Sequence, residues 1–334
     1  MPYDVCCSNY RLGIKTILRM LLRRCALGAA TVAIVSAIIF LGVELLPGDA
    51  CTAFLERDAK GQMLETCRED FGLDRPALTR YFEWAGNALQ GDLGMSASGR
   101  KSIVELVWHW MKNSLLLAAV SLSVGVPVAI FLGVITGLWR DKPIDLVFST
   151  VAILAMTIPE FVSATVLILI FSVWLGWLPG IVVTSASAPA SAFFLEIFLP
   201  VLVLAMVMMA HILRMVRSSV IEVMAGDYIQ MATLKGVPYW RIVFAHALPN
   251  ALLPAINVVA LTIAWLLGGV VVIEVVFNYP GLGRMMIDAI SDRDLPVVQA
   301  IALIVASVYV GVNLTADILT MVANPRLRTL NMRG

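Results

Sequence analysis

The sequence is poor in charge. Asp, Glu, Lys and Arg make up 14% of its 334 residues, where soluble domains carry about 25%, and this weighs against a soluble globular core. The few charges balance to +1, and the basic ones are scattered over several short segments, so the footprint of a nucleic-acid binder is missing. Histidine is scarcer still. His109, His211 and His246 lie far apart and lack metal-ligand spacing, and no nucleophile with its base stands out beside them. No catalytic, cofactor-binding or metal site is expected, and the three histidines read as structural or interfacial. A Gly-x-x-x-x-Gly-Lys-Ser/Thr stretch is absent throughout, so the chain has no P-loop to cradle a nucleotide. Low-complexity sequence is confined to "TSASAPASA", residues 184–192, which reads as a flexible outer loop. No internal repeat marks two matching halves.

What is present is apolar sequence in long runs. Hydrophobic residues reach 60% and mean hydropathy is +0.89. A helix needs about 20 apolar residues to cross a hydrocarbon core roughly 30 Å thick. Six stretches qualify: Cys25–Leu45, Asn113–Leu138, Leu146–Leu175, Ile197–Leu213, Pro254–Phe277 and Val297–Val322. Each must be helical, because lipid offers no partner for an unpaired backbone amide, and the fold class is an all-α membrane protein. The third stretch is long enough to tilt or to extend past the bilayer. The first is longer than the apolar part of a signal peptide and lacks a small-residue cleavage site soon after it, which makes it an uncleaved span.

Orientation follows from Lys and Arg near the span ends. "RLGIKTILRMLLRR" carries Arg11, Lys15, Arg19, Arg23 and Arg24 with no acid after Asp4, which keeps the amino terminus in the cytoplasm. With six spans the tail "NPRLRTLNMRG", the connection Trp139–Asp145 and the segment 214–253 fall on the same side; the tail and the segment 214–253 are net basic, and the connection balances Arg140 and Lys142 against Asp141 and Asp145. The resulting organisation is a cytoplasmic segment 1–24, a first span 25–45, a periplasmic loop 46–112, a five-helix core 113–322 and a cytoplasmic tail 323–334. Gly125, Pro127, Pro159, Gly268 and Gly269 interrupt the spans and read as kinks and close-packing sites, which neighbouring helices make tolerable. Glu160, after Pro159 in "TIPEFV", is the one carboxylate that reads as deep in a span, where an ionisable group marks function by default. It has three open readings: lining a translocation path, pairing with a neighbouring subunit, or sitting at a boundary. Glu44, Glu274 and Asp317 lie near span ends and are expected to snorkel or cap.

Between the fourth and fifth spans stands "GDYIQMATLKGVPYWRIVFAHALPN", residues 226–250. It reads as a short amphipathic helix ended by Gly236, a break enforced by Pro238, and a second basic helix from about Tyr239. A helical hairpin on the membrane surface and a docking element for a cytoplasmic partner both fit that pattern. The segment resembles the cytoplasmic signature loop of permease subunits of bacterial ABC importers, whose pattern is Glu-Ala-Ala, three residues, Gly, nine residues, Ile, any residue, Leu-Pro. Gly236, Ala232 and Leu248-Pro249 match it; Gln230, Met231 and His246 depart from it. "DYIQMATLKG" with "HALPNALLP" is similar to the dipeptide and oligopeptide branch. So are "LLPGD", "FGLDRPALTRYFEWAGNALQGDLGMS", "TIPEFV", "LGWLPG" and "FNYPGLGRMMIDAISDRDLPVVQA", in that branch's order.

The resemblance implies a permease subunit that forms the path for peptides or similar small solutes by alternating access. It implies a second homologous permease chain, two cytoplasmic ATPase subunits and a periplasmic substrate-binding protein as partners. ATP and Mg would be held by the ATPase, with no cofactor in this chain. Asp227, Tyr228, Ala232, Lys235, Gly236 and Pro238 would form the ATPase-coupling element. Peptides, nickel complexes and some sugars are substrates across the branch. The competing readings are an ion- or proton-coupled secondary transporter, which should show several partnered mid-membrane carboxylates or histidines, and a membrane-embedded enzyme, which should show a convergent catalytic set. Cys51 and Cys67 are the cysteines of the outer segment; in an oxidising periplasm they are a candidate disulfide.

Overall fold

The computed structural model describes residues 4–45, 51–52, 61–70, 74–97, 101–183 and 190–323. Apart from one isolated antiparallel bridge between Met95 and Ser102, the regular structure among these residues is helical. Five helices are long and apolar enough to cross a membrane: Leu22–Glu44 within α1 (Asp4–Glu44), α4 (Ile103–Leu138), Phe193–Met224 within α7 (Ala190–Met224), Tyr239–Ile263, and Leu295–Thr315 within α13 (Leu295–Ala323). The remaining expected span, the third in the chain, is a broken pair. Helices α5 (Pro143–Thr157) and α6 (Glu160–Leu167), the latter continued by a π-helical stretch Ile168–Trp174, are bent by 108°. The stretch expected to tilt or to extend past the bilayer, with a kink at Pro159, is instead bent through more than a right angle there. Pro159 lacks an amide to donate, and Ile158 before it is extended, as a residue preceding proline tends to be. Pro127 and Pro200 interrupt nothing: α4 and α7 run through them.

The chain divides into two compact units, one built mainly from residues 117–277 and the other from 26–116 with 278–311. In the first, α4 and α7 approach closely along Gly125, Ala129, Gly133 and Gly137, which recur every fourth residue and form one slowly winding ridge of α4. A Cβ at Gly133 would lie 2.7 Å from Val216 Cβ, one at Gly137 2.7 Å from Val220 Cβ, and one at Gly125 2.9 Å from Met208 Cε. The offset in residue number is the same at all three contacts, so the two helices run parallel and the intervening α5–α6 pair makes the return. Small residues let backbones approach where lipid supplies no hydrophobic drive between helices. Around the stripe Ala129, Ala205, Met208, Ile212, Val216 and Val220 form the core with Ala251 and Ala255, contributed by α10 (Leu248–Ala251) and α11 (Leu253–Val276). Gly268 has open space around it, so close packing within this chain is not its role. Glu274, expected to snorkel or cap at a span end, is fully buried, which rules out snorkelling within this chain.

In the second unit the outer segment is more than a loop. It contains α2 (Gln62–Asp70) and α3 (Ala77–Leu89), and α4 begins at Ile103, well before the expected boundary at residue 113. Tyr81 of α3 meets Phe40 edge-on at 5.4 Å and shares a hydrogen bond with Ser36, while Arg80 pairs with Glu44. Ile103 and Val107 pack with Leu282, Met285 and Ala289 of α12 (Leu282–Ser291) and with Val297, Ala300 and Ile301 of α13. Asp294, buried before α13, accepts hydrogen bonds from Ser96 Oγ at 2.5 Å and from the backbone amide of Ala97 at 3.2 Å.

Candidate coupling site

Helix α8 (Asp227–Leu234) follows α7 after only Ala225 and Gly226. Gly226 is extended, which ends the run of α7, and Asp227 lies in the first turn, where a carboxylate suits the positive helix end. The far end is closed by backbone geometry. Gly236 has φ +74, its amide donates to Thr233 O at 3.0 Å, and the Val237 amide donates to Ala232 O at 3.2 Å. These are the two bonds of a Schellman stop, and Ala232 packs in the same cluster as Val237, as that motif favours. Pro238 then opens the next short helix, α9 (Tyr239–Arg241). A π-helical stretch Ile242–Ala247 follows, in which the widened turn precedes Pro249.

One side of α8 is anchored. Ile229 is buried with Ile242 and Ala247, and Val223, Met224, Ala232 and Val237 pack around them. The other side is bare: Tyr228, Met231 and Leu234 recur every third residue and are exposed, Leu234 at 83%. The residues expected to couple therefore divide. Asp227, Tyr228 and Lys235 face out; Ala232 packs inward; Gly236 and Pro238 set the angle at which the chain leaves. Met231 and Leu234 are not among the residues expected to couple, although their three-residue spacing after Tyr228 is visible in the sequence.

A second feature of this end went unread. Asp145, in the first turn of α5, is 1% exposed and accepts from Arg217 Nε at 2.5 Å and Nη2 at 2.8 Å. It also accepts from the Asp141 amide at 2.9 Å and from Ser149 Oγ at 3.0 Å. An acid in a first helical turn looks like an ordinary dipole partner, and nothing in the sequence points to an arginine 72 residues later.

Glu160 is half-buried at the start of α6, directly after the break, and its Oε2 is buried without a hydrogen-bond partner among the described residues. Helix α6 packs against α7 and α11. In the outer segment Cys51 is fully buried and disulfide-bonded, and Cys25 is a free thiol. The side chain of Cys67 lies outside the described residues.

Residues 129–329 match the sequence profile of the family described as binding-protein-dependent transport system inner membrane component, and residues 17–103 match its amino-terminal counterpart. A probable peptide ABC transporter permease protein of Sinorhizobium fredii is 33% identical over 309 residues, covering 92% of this chain and 98% of that one. A glutathione transport system permease protein of Escherichia coli K12 is 34% identical over 298 residues, covering 89% and 95%. Among solved structures, an amino acid ABC transporter with histidines superposes with a TM-score of 0.49 at 18% identity, over 66% of this chain and 94% of that one.

Proposed function

The chain belongs to the family of binding-protein-dependent transport system inner membrane components, and from that premise we propose that it passes peptides or similar small solutes, glutathione-like ones included, inward by alternating access. It is a multi-pass membrane permease subunit of an ABC importer and works with other subunits of that transporter. The observation that carries the mechanism is α8: a rigid helix, stopped at Gly236, anchored on one side by Ile229 and bare on the other. A bare apolar face on so short a helix suits a groove in a partner. That partner is the ATPase, present in two copies beneath this chain and a second, homologous permease chain, with a periplasmic binding protein above. ATP and Mg are bound there, and ATP is hydrolysed there and not by this chain. Both termini are cytoplasmic; the parallel packing of α4 and α7 supports an even span count. Glu160, at the bend, lines the path.

In vesicles containing the whole complex, uptake stops when ATP is withdrawn and survives a protonophore at constant ATP. Loss of uptake with protonophore alone would overturn ATP coupling in favour of a proton-coupled carrier. Cys67 is the proposed partner of Cys51 across the outer segment. Closing a loop of about 15 residues stabilises it by roughly 3 kcal/mol in the chain-entropy model. Membrane-impermeant maleimide then labels neither residue in intact cells until reductant is added; labelling of Cys67 without reductant sinks the pairing.

A further inference from the structure

The cytoplasmic ends of three spans meet just above α8. Gly133 and Gly137 bring α4 against Val216 and Val220 of α7, and Asp145 brings α5 against Arg217, which lies between those two valines. Farther along, α5 and α7 touch through Ala152, Ala210 and Leu213, with Phe148 and Met156 beside them. Such apolar surfaces hold two helices together but resist sliding weakly. A forked guanidinium on a buried carboxylate is different: it fixes distance, rotation and axial register together. The four donors on Asp145 hold its carboxylate in one position, and parting it from Arg217 would leave a carboxylate that is only 1% exposed without its charged partner.

Arg217 stands about two turns before the end of α7, and α8 is packed onto that end through Val223 and Met224. Asp145 stands at the start of α5, whose other end is the break that leads to Glu160. We infer that Asp145 and Arg217 are a positioning pair that makes α5, and with it the bent third span, move as one piece with α8, so that displacement of the coupling helix reaches the membrane-embedded bend. The inference rests on the permease reading above. It adds a specific link between the docking helix and a gate element, carried by two residues that lie outside α8 and its exposed face.

The test uses the complete transporter in vesicles, with solute moved and ATP hydrolysed measured in the same sample. Asp145→Asn and Arg217→Gln each leave the complex assembled and hydrolysing ATP, while solute moved per ATP falls about tenfold, within the range seen when coupling residues are altered. Arg217→Lys, which keeps the charge and loses the fork, falls less. The double variant Asp145→Asn/Arg217→Gln is no worse than the poorer single variant, because both remove one shared interaction. An unchanged ratio in both single variants overturns the inference. So does a proportional loss of hydrolysis, uptake and assembled complex, which would make the pair a stability element only, and so do losses that multiply in the double variant. Failure of the permease reading looks different: the unaltered complex would then move no solute on ATP.

Discussion

Gly236→Pro abolishes ATP-driven uptake and leaves the spans inserted. At φ +74 a proline cannot be built, because its ring holds φ near −65°. Its missing amide also deletes the bond to Thr233 O. The end of α8 must therefore unwind, which re-aims Tyr228, Met231 and Leu234, the face proposed to dock. The site is otherwise roomy, with nothing within 4 Å of a Cβ at Gly236, so Gly236→Ala carries only the left-handed backbone cost of about 1 kcal/mol and keeps most uptake. Leu234→Asp and Met231→Asp keep the Gly236 stop and change the exposed face, whereas charge reversals at Asp227 and Lys235 leave that face apolar and act at the helix ends. The two Asp variants should lose co-purification with the ATPase nearly as fully as the proline variant, and the charge reversals less. Membrane insertion, followed by the yield of the chain in isolated membranes, stays within twofold throughout. Normal uptake in the proline and aspartate variants would eliminate α8 as the coupling element.

The second large effect is on folding. Gly133→Leu drives a side chain into a contact where even a Cβ would sit 2.7 Å from Val216 Cβ and 2.9 Å from the carbonyl oxygen of Leu213. Backbone and a β-branched residue in a helix yield little, so α4 and α7 must separate, and the core around Met208, Ile212, Val216 and Val220 opens with them. Overpacking of this kind costs about 1–3 kcal/mol where side chains can shift, and more where backbone is in the way. The expected result is loss of monodisperse complex on size-exclusion chromatography, with Gly137→Leu behaving alike because Val220 Cβ and Arg217 O face it in the same manner. Gly42→Leu is the control: that glycine is on an exposed face of α1 with nothing within 4 Å of a Cβ, and the variant assembles normally. If Gly133→Leu assembled as well as Gly42→Leu, the parallel α4–α7 contact would not be what organises this unit.

The sequence by itself determined the elements whose cause is local. Length and apolarity specify which segments span a membrane; Lys and Arg at their ends argue orientation; Gly236 followed by Pro238 ends a helix whatever surrounds it. These depend on residues within a few turns of one another; the Gly236 stop stands where the pattern places it, while α4 and α7 run well past the apolar stretches that announce them. The same locality explains what tertiary structure alone decided. Pro159 announced an interruption, but the 108° angle depends on the neighbours α6 rests on, α7 and α11. Gly125 reads as a close-packing site in the sequence, while the contacts that Gly133 and Gly137 add to it, and the partner face on α7, are set by register across the bundle. The outer segment read as a loop with little core because the residues that bury Ile103 and Val107 come from α12 and α13, at the other end of the chain. Asp145 is the sharpest case. Alone it is an acid in a first helical turn; folding brings Arg217 to it, and that meeting turns a local charge into a joint between spans.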